Sequence, residues 1–296
     1  MNEQIQSILA VGFERELYAT AHRNLIDSEN NLRLNNFACA MRELMRHVLH
    51  RLAPTESVVQ CPWYHNESVV ECLWCHNEIG KPNVVTRRQR AYFAVQGGLP
   101  DEYVQDVLHL ETESIHRSLV QAINGLSKLT HIEKTVFGLS EADVAAHVQA
   151  TEDAVAALCS TIHSCRQQII TALWEQIDGT VIDEVLRETL QAIDEITAHY
   201  SIEEVYTHRV EIIEITHDEI VFSATGSIAT ELQWGSNSDI RRGDGAVLSK
   251  SFPFTCYLWS PVDDPTQVEA REDGLLVDTR SWGDGYYGDD VSLPIT

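Results

Sequence analysis

The stretch from Asn36 to His50, Asn-Phe-Ala-Cys-Ala-Met-Arg-Glu-Leu-Met-Arg-His-Val-Leu-His, sets a row of Arg and His beside an apolar stripe. On a helical wheel Phe37, Met41, Leu44, Met45 and Val48 fill the stripe, Arg42 and His47 flank it, and Arg46 and His50 lie outside it. An imidazole takes and returns protons near neutral pH, and a guanidinium holds the negative charge that builds on a phosphate under attack. Together they are the smallest equipment for cutting RNA without a metal, with Arg42 and His47 as the leading catalytic pair. Arg15 and His22 repeat the pairing at a wider spacing.

Three further groups carry chemistry. His131 closes an apolar helix among the polar residues Ser127, Lys128, Thr130 and Glu133, where it can shuttle a proton or cap the last carbonyls. Arg87, Arg88 and Arg90 open another helix and, with Arg46, are candidate phosphate contacts. Between these helices lies a tandem duplication, Ser57 to Glu67 followed at once by Ser68 to Glu78, with eight of eleven positions identical. It repeats Cys61 and His65 as Cys72 and His76, and four such ligands suit a tetrahedral zinc ion. Near the turns of the second half, Asp239, Asp244 and Asp278 are the residue type that holds Mg²⁺ in metal-assisted nucleases. The Arg and His chemistry needs no cofactor, so none is expected; zinc and magnesium are the two ions for which ligand types exist. No Gly-rich phosphate loop, Ser/His/Asp signature or dinucleotide fingerprint is found.

These residues need elements to position them. Apolar residues recur at three and four from Ile5 to Ile26, which predicts one amphipathic helix, and a second runs from about Asn36 to Leu52 and stops before Pro54. Thr86 to Val95 and Asp101 to Leu108 read as short helices around the turn Gly97-Gly98-Leu99-Pro100, and residues 112–130 read as another. Ser140 with Asp143 resembles a capping box opening a long helix that ends at Asp178-Gly179, and a last helix spans about Val181 to His199. Beyond Ser201 the period changes to two, and the turn signals divide the remainder into about five antiparallel strands. The expected fold class is α+β, with a helical domain over 1–200 and an antiparallel β domain over 201–296.

Charge bounds the partners. The chain of 296 residues carries a net charge of −24, which argues against a simple nucleic-acid binder. That charge is unevenly spread. Residues 1–138 hold 13 Lys and Arg against 16 Asp and Glu, and residues 139–296 hold 8 against 29. Contact with phosphate is therefore expected in the first half, while the acidic second half suits a basic protein partner. No long apolar run and no secretory start are seen, so the expectation is a cytoplasmic protein that makes no membrane contact, with its seven Cys as free thiols or metal ligands.

Several segments together carry a family resemblance: Asn36 to Leu49, Thr86 to Gly98, Leu126 to Glu133 and Leu232 to Ala246. They resemble the predicted nucleases associated with prokaryotic PIWI systems. Arg42, four residues and His47 also fit the loose motif of the HEPN ribonucleases, although Glu43 stands where that motif usually has Asn, Asp or His. These resemblances imply a nuclease of antiphage or antiplasmid defence, dimeric, with RNA or single-stranded nucleic acid as substrate and a defence-system protein as a further partner. The HEPN motif further implies a metal-independent cut, in which His shuttles protons during attack of the ribose 2′-hydroxyl and Arg stabilises the phosphorane. The rival expectation is a non-catalytic acidic adaptor or inhibitor that binds a partner protein in such a system.

Overall fold

The computed structural model describes residues 2–65, 85–110, 117, 121, 124–134, 137–187, 191–197 and 199–283. The chain forms two compact units, Met1–Ile169 with Ile215–Asp218, and Ile170–Glu214 with Glu219–Thr296. Helices come first and strands second, so the fold is α+β as expected. The change from helix to strand falls at His199, close to residue 200, whereas the division between compact units falls within a helix, between Ile169 and Ile170.

In the first unit the expected opening helix is two, α1 (Glu3–Ile8) and α2 (Phe13–Arg23). Gly12 between them has φ +92°, a left-handed conformation that a helix cannot contain and that glycine adopts without steric cost. α3 (Arg33–Leu52) buries Phe37, Met41, Leu44, Met45 and Val48, the stripe read from the sequence, and packs against α2. Each of these side chains contributes about 1.5–3 kcal/mol relative to exposure. The helix stops at Ala53 because Pro54 disfavours helical geometry in the residue before it. α4 (Thr55–Gln60) follows, and α5 (Arg87–Gln96) opens with a full capping box, Thr86 bonded to the Gln89 N–H and Gln89 returning to Thr86.

α5 ends in the Gly97-Gly98 turn. The Gly98 N–H donates to Thr216 O at 2.8 Å, and a Cβ at Gly98 would lie 2.1 Å from His217 O, so only glycine fits there. A single π-helical turn, Tyr103–Val107, replaces the expected short helix. α6 is described over residues 124–130. α7 (Glu141–Ala172) starts from the predicted cap, with the Asp143 N–H donating to Ser140 Oγ at 3.2 Å.

The second unit opens with the end of α7 and with α8 (Trp174–Arg187). Asp178-Gly179 does not stop a helix as expected. The break comes at Leu173, and α8 runs through Gly179 because Ile177, Val181 and Val185 are buried on its inner face and outweigh the roughly 1 kcal/mol that an internal glycine costs. α9 (Gln191–Asp194) leads into the sheet.

The sheet has four described strands, β1 (His199–Ile215), β2 (Glu219–Trp234), β3 (Ala246–Pro261) and β4 (Glu269–Val277), in the order β1-β2-β3-β4. β2 and β3 pair antiparallel from Glu219↔Pro261 to Trp234↔Ala246, which sets Phe222 beside Leu258 and Ile228 beside Phe252 on the buried face. Four strands stand where about five were expected because they are long and because Asp273-Gly274 bends β4 without ending it. α8 lies along β4, where Thr180 Oγ1 donates to Val268 O at 3.1 Å. α10 (Asn237–Arg242) bridges β2 and β3, and α11 (Arg280–Gly283) follows β4. Among the described residues no helix is long and apolar enough to cross a membrane.

Candidate active site on the third helix

Burying one stripe of α3 leaves its polar flank facing outward, and that flank is a connected row. Arg42 Nη2 donates to Glu43 Oε1 at 3.4 Å, Arg46 Nε donates to Glu43 Oε2 at 2.7 Å, and Arg46 Nη2 lies 3.2 Å from His47 Nε2. A guanidinium only donates, so the last contact requires His47 Nε2 to present its lone pair. The hydrogen bond from Arg46 holds the Glu43 carboxyl below its usual range, against the opposing effect of burial, and the charges of Arg46 and Arg42 act in the same direction. Glu43 thus stays ionised and ties the two guanidinium groups together. Arg42 and His47 do not touch; Glu43 and Arg46 link them.

At one end of the row Arg42 Nη1 donates to Thr130 Oγ1 at 3.3 Å, at the end of α6. Both bonds to Arg42 are long, and its Nε is buried without an acceptor among the described residues, so the two terminal nitrogens are the donors that can turn to a phosphate. α6 is held to α3 by Asn35 Nδ2, which donates to Leu129 O at 2.8 Å. His131 follows α6 directly and is exposed. Arg87 Nη1 reaches Ser127 Oγ at 3.5 Å. The end of α6 therefore gathers Arg42, Arg87 and His131, three residues singled out separately in the sequence, around residues 127–131.

At the other end His47 and Phe13 pack in a T-shaped pair, with ring centroids 4.9 Å apart. Next to it the Glu14 carboxylate takes both arms of Arg51, from Nε and Nη2 at 2.9 Å each, and the Ala10 N–H at 2.8 Å. Burial alone would raise the Glu14 carboxyl, but the Arg51 and Ala10 hydrogen bonds and the charges of Arg51 and His47 outweigh it and bring it below its usual range.

The remaining candidates are placed differently. Arg88 is exposed at the start of α5. Arg90 is buried, and its guanidinium bonds Ala53 O and, at 2.7 Å, Thr55 Oγ1, closing the end of α3. Arg15 and His22 share a face of α2, but His22 Nε2 is buried 2.9 Å from Glu152 Oε1, at ion-pair distance without hydrogen-bond alignment, and Tyr18 donates to the same oxygen at 2.9 Å. Of the zinc candidates, Cys72 and His76 lie outside the described residues. Cys61 is buried, with its thiol pushed up to about 12 by desolvation first and then by Asp218, and His65 is exposed with Nδ1 3.3 Å from Trp63 O.

Asp239 completes the capping box that Ser236 opens at the start of α10, taking the Ser236 N–H at 2.9 Å and Arg242 Nη2 at 2.9 Å. Asp278 takes the backbone N–H of Arg280 at 3.0 Å and its guanidinium at 2.6 Å, and those bonds hold its carboxyl down at about 2. Asp244 gives its N–H to Asp239 O. Among the described residues no group of three or more His, Cys, Asp and Glu is set to hold a metal ion.

Sequence reasoning missed Glu43 as the link of the row, Thr130 as the partner of Arg42, and the Phe13 and Glu14 surroundings of His47. The three-residue spacing of Glu43 and Arg46 could have shown the first. The others are contacts between elements, which spacing does not carry.

Comparison with known families places this α+β chain among predicted nucleases: two family models, both described as predicted pPIWI-associating nuclease, match residues 6–158 and 162–283. The first alone spans more than half of the chain, which therefore belongs to the predicted pPIWI-associating nuclease family. No curated protein and no solved structure matches it.

Proposed function

We propose that this chain is a metal-independent endoribonuclease of a prokaryotic defence system, working from the outward flank of α3. The row that ties Arg42 and Arg46 to His47 through Glu43 carries this reading. His47, its Nε2 lone pair released when Arg46 turns from it to a phosphate, takes the proton from a ribose 2′-hydroxyl as that oxygen attacks the neighbouring phosphorus. Arg42, with donors to spare, holds the charge that develops on the phosphorane oxygens, and His131 returns a proton to the leaving 5′-oxygen. Arg46, Arg87 and Arg88 track the phosphates, while Arg90 serves the end of α3. A rise of about 7.5 Å separates the Cα atoms of Arg42 and His47 along the helix axis. A symmetric homodimer that sets Arg42 of one copy opposite His47 of another completes the set.

The test is RNA cleavage in the presence of EDTA. Activity that survives chelation, falls about 10²–10⁴-fold in His47→Ala, and returns when His47→Ala and Arg42→Ala chains are mixed supports the dimeric reading. Activity abolished by EDTA overturns the metal-independent part of it. The helical region to about residue 200 carries this chemistry, and the acidic region from 201 to 296 serves recognition of a protein partner.

The uneven charge favours one second reading, an acidic adaptor or inhibitor that masks a basic partner, since residues 139–296 hold 29 acidic side chains against 8 basic ones. Salt-sensitive binding to such a partner without any hydrolysis of RNA or DNA would select it.

A further inference from the structure

Two neighbouring residues at the start of α2 reverse the usual order of burial. Glu14 is 6% exposed, while Phe13 is 59% exposed, and Val11 just before it is 84% exposed. The buried carboxylate is accounted for by Arg51 and the Ala10 N–H. Among the described residues the exposed ring meets the ring of His47, with centroids 4.9 Å apart and an interplanar angle of 73°. Beside it the left-handed Gly12 leaves open space, with no atom of the described residues beyond Val11 and Phe13 within 4 Å of where a Cβ would stand. Phe13 thus offers an exposed aromatic surface next to the His47, Arg46 and Arg42 row, and Arg51 stands next to it on Glu14.

The geometry points to Phe13 as a stacking platform for an unpaired base, which makes the ligand of this surface single-stranded nucleic acid rather than duplex. Bases in a single strand can splay out and stack on an aromatic ring while guanidinium groups follow the phosphates, and a base-paired duplex presents no free face to such a ring. Charge fits this occupant: Arg42, Arg46 and Arg51 outnumber Glu43 and Glu14, each of which is already bonded to an arginine. A base on Phe13 places its own ribose and phosphate beside His47, so the inference rests on the reading of α3 as the strand-handling face and names the form of nucleic acid that face accepts.

Binding tests it without requiring catalysis. A short 2′-O-methylated RNA strand, which cannot undergo 2′-hydroxyl attack, is titrated by fluorescence anisotropy against the full chain, beside the same strand in duplex and an abasic analogue. Phe13→Ala is expected to weaken single-strand binding about 5- to 100-fold, the worth of one stacked base, while Phe13→Trp keeps it and duplex binding stays unchanged. The abasic strand should bind wild type as weakly as the intact strand binds Phe13→Ala. Equal affinity of Phe13→Ala and wild type for the single strand overturns the inference, as does indifference of the wild-type chain to single strands. If binding depends on Phe13 and unmodified RNA is not cut in EDTA, the stacking platform stands and the catalytic reading falls; the reverse pattern separates them the other way.

Discussion

The polar flank of α3 and the carboxylates of the β unit use similar charged residues to different ends. On α3 the side chains reach along the row to one another, and Arg42 keeps donors uncommitted. In the β unit Asp239 and Asp278 are each filled from within their own turn, by Ser236 and Arg242 and by Arg280. A carboxylate whose lone pairs are taken by local donors must lose those bonds before it can bind a cation. A guanidinium held by two long bonds has less to lose on meeting a phosphate. What distinguishes the two regions is thus how the groups are already satisfied, more than which groups are present.

The largest effect that would sharpen this comparison is on cleavage. Arg42→Ala is expected to lower the RNA cleavage rate about 10²–10³-fold, as expected for loss of one group that stabilises developing charge. Asp239→Asn, Asp244→Asn and Asp278→Asn, singly or combined, are expected to leave the rate within about threefold, a difference of less than 1 kcal/mol. Single-turnover rates on one RNA substrate measure both arms. A large loss in the aspartate variants with little in Arg42→Ala would reverse the assignment and return the chemistry to the carboxylates.

The next effect separates cations that serve the fold from those that face solvent. Arg90→Met leaves Ala53 O and Thr55 Oγ1 without their donor in a buried setting and is expected to cost about 2–3 kcal/mol of stability. Arg88→Met, at an exposed position two residues away, is expected to change stability by less than about 0.5 kcal/mol while weakening RNA binding. Urea denaturation paired with an RNA titration distinguishes the two. Equal stability losses would mean that burial does not decide the role of these arginines.

Much of this was legible before any coordinates, and what escaped shares a cause. The buried stripe of α3 and the capping box at Ser140 rest on local patterns within one element, the change from helix to sheet near residue 200 on a change of period along the chain, and the family resemblance on four short segments read together. The break at Gly12 was missed because apolar spacing continues across it, and positive φ leaves no periodic mark. Asp178-Gly179 looks like a stop in composition, which shows the turn-forming residues but not the burial of Ile177 and Val181 that carries the helix through. Arg87, Arg88 and Arg90 read alike in sequence. Only the packing of α5 against the end of α3 turns Arg90 inward and leaves Arg88 outside.

The smallest effect concerns the pair that flanks the row. Glu14 is buried and held by Arg51, which is itself 40% exposed, so solvent screening limits the worth of the pair to about 1–2 kcal/mol. The folded pKa of Glu14 lies below its unfolded value, so this contribution is complete above the ordinary carboxylate pKa of about 4.3 and is lost as pH falls through the depressed folded value. Arg51→Gln should therefore be less stable than wild type by that amount near about pH 7, and the gap should close as the pH falls below the ordinary carboxylate value of about 4.3 and on through the depressed folded value. Denaturant midpoints of the two chains across that range measure it. A gap that stays constant with pH would show that Arg51 acts through its bond to Ile8 O and its packing rather than through the charge of Glu14, and the contrast between a satisfied flank and an open row would then rest on Arg42 alone.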